Sequence, residues 1–260
     1  MRLRRASRAH DEFRPGRSPR PAGPAIHRLV GASAKQAQRP ETVLVHALAE
    51  RTERRHPGPS SRQENERGLL EAAESIFAEH GFAGATTAAI ARRAGVPKAN
   101  LHYYFPTKEA LYRAVVERAL AAWLKAASAF EVGEDPAHAL SAYICAEMDL
   151  ARSMPLGSRI RLAEVMRGAP MIQDFLDTTL AEWVASRETA VRRWVAAGQL
   201  KPIEPKVLFH MIWATTRYYA TAAREIETLN GGRPLDDVAF ERAKAQVVAT
   251  ILGGVKPQAS

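Results

Sequence analysis

The sequence predicts an all-α protein, with a three-helix helix-turn-helix unit followed by a larger helical domain. Three observations carry that expectation. Apolar residues recur at helical spacing: Leu69, Ala73, Ile76, Phe77 and His80 fall on one face of an amphipathic helix. Gly and Pro punctuate the chain wherever a helical stretch has to turn. Between those breaks there is no strand-like alternation, and no internal repeat.

Taken in order, the first helix ends at Gly81, and Gly84 loosens the turn before Thr86 and Thr87, either of which can cap the next helix. That second helix is short, about Thr87 to Ala94, with Ile90 and Ala94 inward and Ala91 small enough for a close helix approach. Gly95 supplies the turn because glycine accepts positive φ without a Cβ clash. Val96 plugs the angle, and Pro97 pre-sets φ at the start of the third helix. Leu101 and Phe105 anchor that helix inward. Lys98, Ala99, Asn100, His102 and Tyr103 form an outward polar and aromatic strip about the width of a major groove. Thr107 caps the fourth helix, which carries the stripe Ala110, Leu111, Ala114 and Val115. A short helix, a glycine turn, a proline start and an outward polar strip together describe a helix-turn-helix that reads duplex DNA.

Past the fourth helix the expected helices are 135–153, 156–166, 171–197, 205–229 and 235–252, with breaks at Asp135-Pro136, Met154-Pro155, Gly168-Ala169-Pro170, Gly198, Lys201-Pro202 and Gly231-Gly232. The last two long helices have wide apolar faces: Leu208, Met211, Ile212 and Thr215, then Val238, Ala245, Val248, Ala249 and Leu252.

Charge divides the chain. Residues 1–60 hold 13 of the 37 Lys and Arg against 5 acids, whereas the remaining 200 residues are nearly balanced. The basic pI therefore belongs mostly to the first 60 residues, and the body would meet DNA through a locally basic face. Residues 1–60 lack periodicity and are rich in Arg, Pro, Ala and Gly, so a disordered basic tail is expected there. Two readings of it stand side by side: an arm that adds phosphate or minor-groove contacts, and a product of start-codon choice, since no methionine falls between Met1 and Met148.

The segment NLHYYFPTKEAL, with the helix-turn-helix before it, resembles the TetR family of transcriptional regulators. SRIRLAEVMRGAP and LKPIEPKVLFHMIWATTRYYATAAREIETLNG resemble the branch of that family that regulates pyrimidine catabolism, whose effectors are uracil or thymine. The two likenesses cover roughly residues 64 to 255. The resemblance implies a helix-turn-helix DNA-binding domain over 61–108, a helical effector-binding and dimerisation domain over 109–255, and a short tail over 256–260. It implies a homodimer joined through the last two long helices, bound to a double-stranded DNA operator and released by a uracil- or thymine-like effector or an anionic catabolite. By position in the motif, Thr87, Tyr103 and Lys108 would touch phosphates, while Lys98, Asn100 and His102 face base edges or the backbone. Two departures bear on this: Ala88 stands where some members carry a base-reading arginine, and His102 replaces the commoner tyrosine. Arg92 and Arg93 are either backbone clamps or solvated side chains.

For the effector, the candidates are polar or aromatic groups near apolar helix faces: Trp123, Arg161, Gln173, Trp213, Thr216, Arg217 and Tyr218. Arg217 stands where related pyrimidine-type regulators carry a neutral amide, which points to an anionic ligand. The competing reading pairs it with Glu225.

A DNA-binding regulator without a small-molecule effector, acting as a constitutive or architectural factor, stays open as the alternative, whereas an enzyme is disfavoured. Glu164, Asp174, Asp177, His210 and Glu225 are present, but no nucleophile elbow, phosphate loop or metal-ligand spacing surrounds them, so neither an enzyme nor a cofactor is expected. The single cysteine, Cys145, excludes an internal disulfide and is expected to be a small buried hydrophobe. No apolar run has membrane-spanning length and no secretory signal is present, which implies a cytoplasmic protein.

Overall fold

The structure, a computed structural model, describes residues 61–257, and the expectation for the basic stretch 1–60 falls outside them. Helix α1 (Ser61–Gly84) is bent at Gly81, whose φ of 67° and ψ of 175° interrupt it one turn before its end. Here α2 (Thr87–Arg93) is capped by Thr86, not Thr87: its side chain accepts a hydrogen bond from the Ala89 amide at 3.1 Å. After Gly95 (φ 69°) comes α3 (Lys98–Tyr104), with Pro97 as the residue just before its first turn. The expected Thr107 cap opens α4 (Lys108–Ala127), accepting from the Ala110 amide at 3.0 Å.

The rest of the chain is helical too. Asp135 caps α5 (Pro136–Ser153) through bonds to the Ala137 and His138 amides, and α6 (Pro155–Met166) follows at once. Gly168 and Ala169 both take positive φ, and the Ala169 amide donates to the Glu164 carbonyl at 2.8 Å, tying off the end of α6. Two expected helices differ from the sequence reading. The stretch 171–197 is not one uniform helix: a turn (Gln173–Phe175) and a π-helical segment (Leu176–Leu180) precede α7 (Ala181–Ala196). The stretch 205–229 divides at Ala222, where φ −105° and ψ 27° separate α8 (Pro205–Thr221) from α9 (Ala223–Leu229). Neither break has a Gly or Pro to announce it. The last helix is α10 (Asp237–Val255), capped by Asp236.

Two apolar clusters hold these helices. The first gathers Leu69, Ala73, Phe77, Ile90, Leu101, Phe105 and Leu111, and is completed by Ile160, Ala169 and Ile172 from α6 and the turn after it. The helix-turn-helix therefore shares its core with residues well beyond position 108. Contrary to the expected apolar face, His80 is exposed and leaves that cluster to the residues before it. The second cluster packs Trp123, Phe130, Leu140, Tyr143, Ile144, Met148, Trp183, Trp194, Phe209 and Ile212. Burying each such side chain is worth about 1.5–3 kcal/mol. Helix α6 packs against α1, α4, α5 and α8; its Ile160 belongs to the first cluster, and its Arg161 lies 5.9 Å from the ring centre of Trp123 in the second. Cys145 is only half-buried, on the side of α5 facing Lys244 of α10. Among the described residues no helix is long and apolar enough to cross a membrane.

Candidate DNA-binding face and effector site

The face of α3 away from the core carries Lys98, Ala99, Asn100, His102 and Tyr103, all exposed, while Leu101 between them is fully buried. Tyr103 is 69% exposed, stands edge-on to Tyr104, and has the Arg62 guanidinium 5.6 Å from its ring centre. His102 Nδ1 lies 3.3 Å from the Pro106 carbonyl oxygen. A proton on Nδ1 would bond there and leave Nε2 facing outward. Thr87 is half-buried in the first turn of α2, and Arg92 and Arg93 are exposed in its last turn. Lys108 is placed differently from the rest. Its Nζ donates to the carbonyls of Phe82 (2.9 Å) and Ala85 (3.1 Å) and lies 4.5 Å from the Phe82 ring centre. It ties the end of α1 to the start of α4, so its ammonium is engaged inside the protein.

The C-terminal cluster contains a buried polar group. Glu147 of α5 is 5% exposed, and its Oε1 has no hydrogen-bond partner. Around it stand Tyr143 one turn back, Trp123 of α4, Arg161 of α6 and Arg217 of α8. Burial pushes the Glu147 carboxyl above its usual range, and the Arg161 charge works against that shift. Burial likewise lowers both guanidiniums, opposed by Glu147. The Trp213 Nε1 donates to the Tyr143 hydroxyl at 2.6 Å. Trp183 completes an aromatic wall, its ring centre 5.2 Å from Tyr143 and 5.6 Å from Trp123. Arg217 Nε, Trp123 Nε1 and Trp183 Nε1 are buried donors without partners. Trp213 also lines a cleft of about 320 Å³ between the π-helical segment and α8, bordered by Leu176, Leu180, Lys206 and His210. π-Helical turns are frequent at functional sites.

Residues 69–115 match the family "Bacterial regulatory proteins, tetR family", and residues 116–258 match "YcdC-like protein, C-terminal region". The chain is 37% identical over 192 residues to the HTH-type transcriptional regulator RutR of Escherichia coli, in both the O157:H7 and K12 strains, covering 74% of this chain and 91% of the relative. The chain belongs to the TetR family of transcriptional regulators. Solved structures agree on the fold. The ketosteroid transcriptional regulator KstR2 of Mycobacterium tuberculosis superposes with a TM-score of 0.59 at 19% identity, covering 78% of this chain and 98% of that one. A TetR family transcription regulator from Marinobacter aquaeolei VT8 gives 0.55 at 20% identity, over 75% and 96%. TetR-family proteins are DNA-binding regulators and not enzymes, and as a family they act as dimers and respond to small molecules.

In this TetR-family chain the residues expected to meet an effector do not all converge. Trp123, Arg161 and Arg217 come together around Glu147, and Trp213 joins them through the Tyr143 hydroxyl. Thr216 lies beside them in sequence but is buried, and its hydroxyl donates to the Ile212 carbonyl of its own helix at 2.9 Å. Gln173 is exposed and donates to Asp177 at 2.7 Å, away from the cluster. Tyr218 is 39% exposed and faces Glu225. The carboxylate whose charge acts on Arg217 is that of Glu147. Sequence reasoning passed over Tyr143, Glu147 and Trp183. The signal for Glu147 was available: a carboxylate four residues after Tyr143, on the same stripe as Leu140, Ile144 and Met148, puts a charge on an apolar face.

Proposed function

We propose that this TetR-family chain is a ligand-released repressor that acts as a homodimer in the cytoplasm, with α3 reading the operator and the Glu147 cluster receiving a pyrimidine-like effector. The observation that carries the effector half is the set of buried, unpartnered polar atoms walled by four aromatic rings in the C-terminal core. Unsatisfied buried groups each cost about 1–3 kcal/mol, so a site that keeps several is matched to something that bonds them. The likeness to the pyrimidine-catabolism branch and the flat aromatic walls both suit a planar, hydrogen-bonding molecule.

In DNA recognition, Lys98 and Asn100 approach base edges, Lys donating to guanine and Asn pairing with adenine, each contact worth about 1–3 kcal/mol of discrimination. Thr87, Tyr103 and His102 flank them, with Tyr103 and Thr87 on phosphates. A phosphate role for Lys108 would require it to leave the Phe82 and Ala85 carbonyls, so its part is to hold α3 and α4 in register with α1. Two-fold symmetry places two copies of α3 in successive major grooves, about one helical turn apart.

Fluorescence anisotropy on sequences selected from a random duplex library tests the DNA half. Replacing both Lys98 and Asn100 by alanine is expected to weaken the selected site at least tenfold while leaving non-specific binding nearly unchanged. Equal loss on all sequences would move the reading residues elsewhere. Addition of uracil or thymine to the wild-type complex tests release.

A further inference from the structure

The charges around Glu147 do not balance. Two guanidiniums, Arg161 from α6 and Arg217 from α8, stand over one buried carboxylate. With Glu147 ionised the cluster carries a net charge of about +1; with Glu147 protonated it carries about +2, so either state leaves positive charge unmatched in a low-dielectric core. The donors without partners, Arg217 Nε, Trp123 Nε1 and Trp183 Nε1, outnumber the one unmatched acceptor, Glu147 Oε1. A neutral ring would satisfy hydrogen bonds but leave the charge.

We propose that the preferred effector is a small monoanion, flat enough to lie between the Trp and Tyr rings, that presents a carboxylate to Arg217 and an N–H to Glu147. This deepens the effector reading above and rests on it. An arginine meets a carboxylate with two parallel bonds, which neutral amides cannot return. The N–H requirement follows from Glu147 Oε1, a buried acceptor oxygen without a hydrogen-bond partner even with Tyr143 and Trp123 beside the carboxyl. A simple aromatic carboxylate would answer only half of the site. The cleft beside Trp213 gives such an anion an approach, since Lys206 and His210 both border it, with Glu188 among its lining residues.

Titration calorimetry and thermal melting on the full-length protein, with uracil, orotate (the same ring bearing a carboxylate) and benzoate, decide the question. Orotate is expected to bind at least tenfold more tightly than uracil and to raise the melting temperature more, with benzoate behind orotate. Arg217→Gln is expected to abolish or reverse the preference for orotate over uracil, and Arg217→Lys to keep it in weaker form. Operator binding without ligand serves as the folding control for both variants. Uracil binding as tightly as orotate, with Arg217→Gln altering neither, overturns the anion preference. If uracil affinity still falls in Trp213→Phe, the site itself survives that result. Ligand binding that ignores both substitutions, or no binding by any of the three probes, overturns the site together with the preference.

Discussion

Glu147 is a carboxylate only 5% exposed among the apolar residues of α5. Burial raises its carboxyl above the usual glutamate value of 4.5, so the protonated form favours the fold. That contribution is fully present below the unfolded value and is lost as pH rises through the raised folded value. Urea unfolding of the wild type and Glu147→Gln across about pH 4 to pH 8 isolates the group, because the amide does not titrate. The wild type should lose stability relative to the variant as pH rises, then run parallel to it. A gap that stays constant with pH would place Glu147 in water. The residue was legible in outline, as a charge on an apolar stripe, but its partners come from three other helices and no local pattern names them. The opposite holds for Lys98, Asn100, His102 and Tyr103, whose outward direction follows from Leu101 and Phe105 facing in.

At the scale of elements, α6 is the part that joins the Glu147 cluster to the helix-turn-helix. Arg161 reaches the Glu147 cluster, and one turn on, fully buried Glu164 accepts hydrogen bonds from the Tyr112 hydroxyl of α4 at 2.7 Å and the Met171 amide at 3.1 Å. One turn back, Gly157 lies against α1 and α4: a Cβ there would stand 3.1 Å from Glu74 Oε1 and 3.3 Å from the Ala119 Cβ. Glu74 in turn pairs with Arg118 of α4 at 2.6 Å. A ligand drawing on Arg161 would pull a helix held against α1 and α4 one turn back and against α4 and Met171 one turn on. Tyr112→Phe removes the shorter of two bonds to Glu164 Oε1, leaving the one from Arg167 at 3.3 Å, and should cost about 0.5–1.5 kcal/mol in denaturant unfolding. The same variant should reduce the ligand's effect on operator affinity, the coupling being typically about 1–3 kcal/mol in such switches, more than it changes ligand affinity. Full coupling in Tyr112→Phe would rule this contact out as the link. Lys108→Met is expected to weaken operator binding through loosened α1–α4 geometry, with little change in salt dependence. A salt slope reduced by about one would instead assign Lys108 to a phosphate.

For the whole molecule, the remaining feature is the apolar groove between α8 and α10. Met211 is 50% exposed and lies with Thr215, Tyr219, Ala243, Gln246, Val247 and Thr250 along a depression of about 690 Å³. The family acts as dimers, and we propose that these two helix faces close on their twins in a four-helix interface. Met211→Glu would place an unpaired charge there, and sedimentation should show dissociation to monomer with operator affinity reduced at least tenfold. A variant that stays dimeric would locate the interface elsewhere. Val238, expected on the same face, is 68% exposed at the first turn of α10 and does not line the groove. The sequence by itself determined the all-helical class, the cap at Thr107, the glycine turn before α3 and the outward face of α3. Each of these is set by residues a few positions apart, through backbone conformation and helical period. The tertiary structure decided the rest: the π-helical segment before α7, the break at Ala222, the inward duty of Lys108, and the gathering of Trp123, Glu147, Arg161, Trp213 and Arg217 from four helices. Those depend on which helices cross and where, a consequence of packing between residues far apart in the chain that no local propensity encodes.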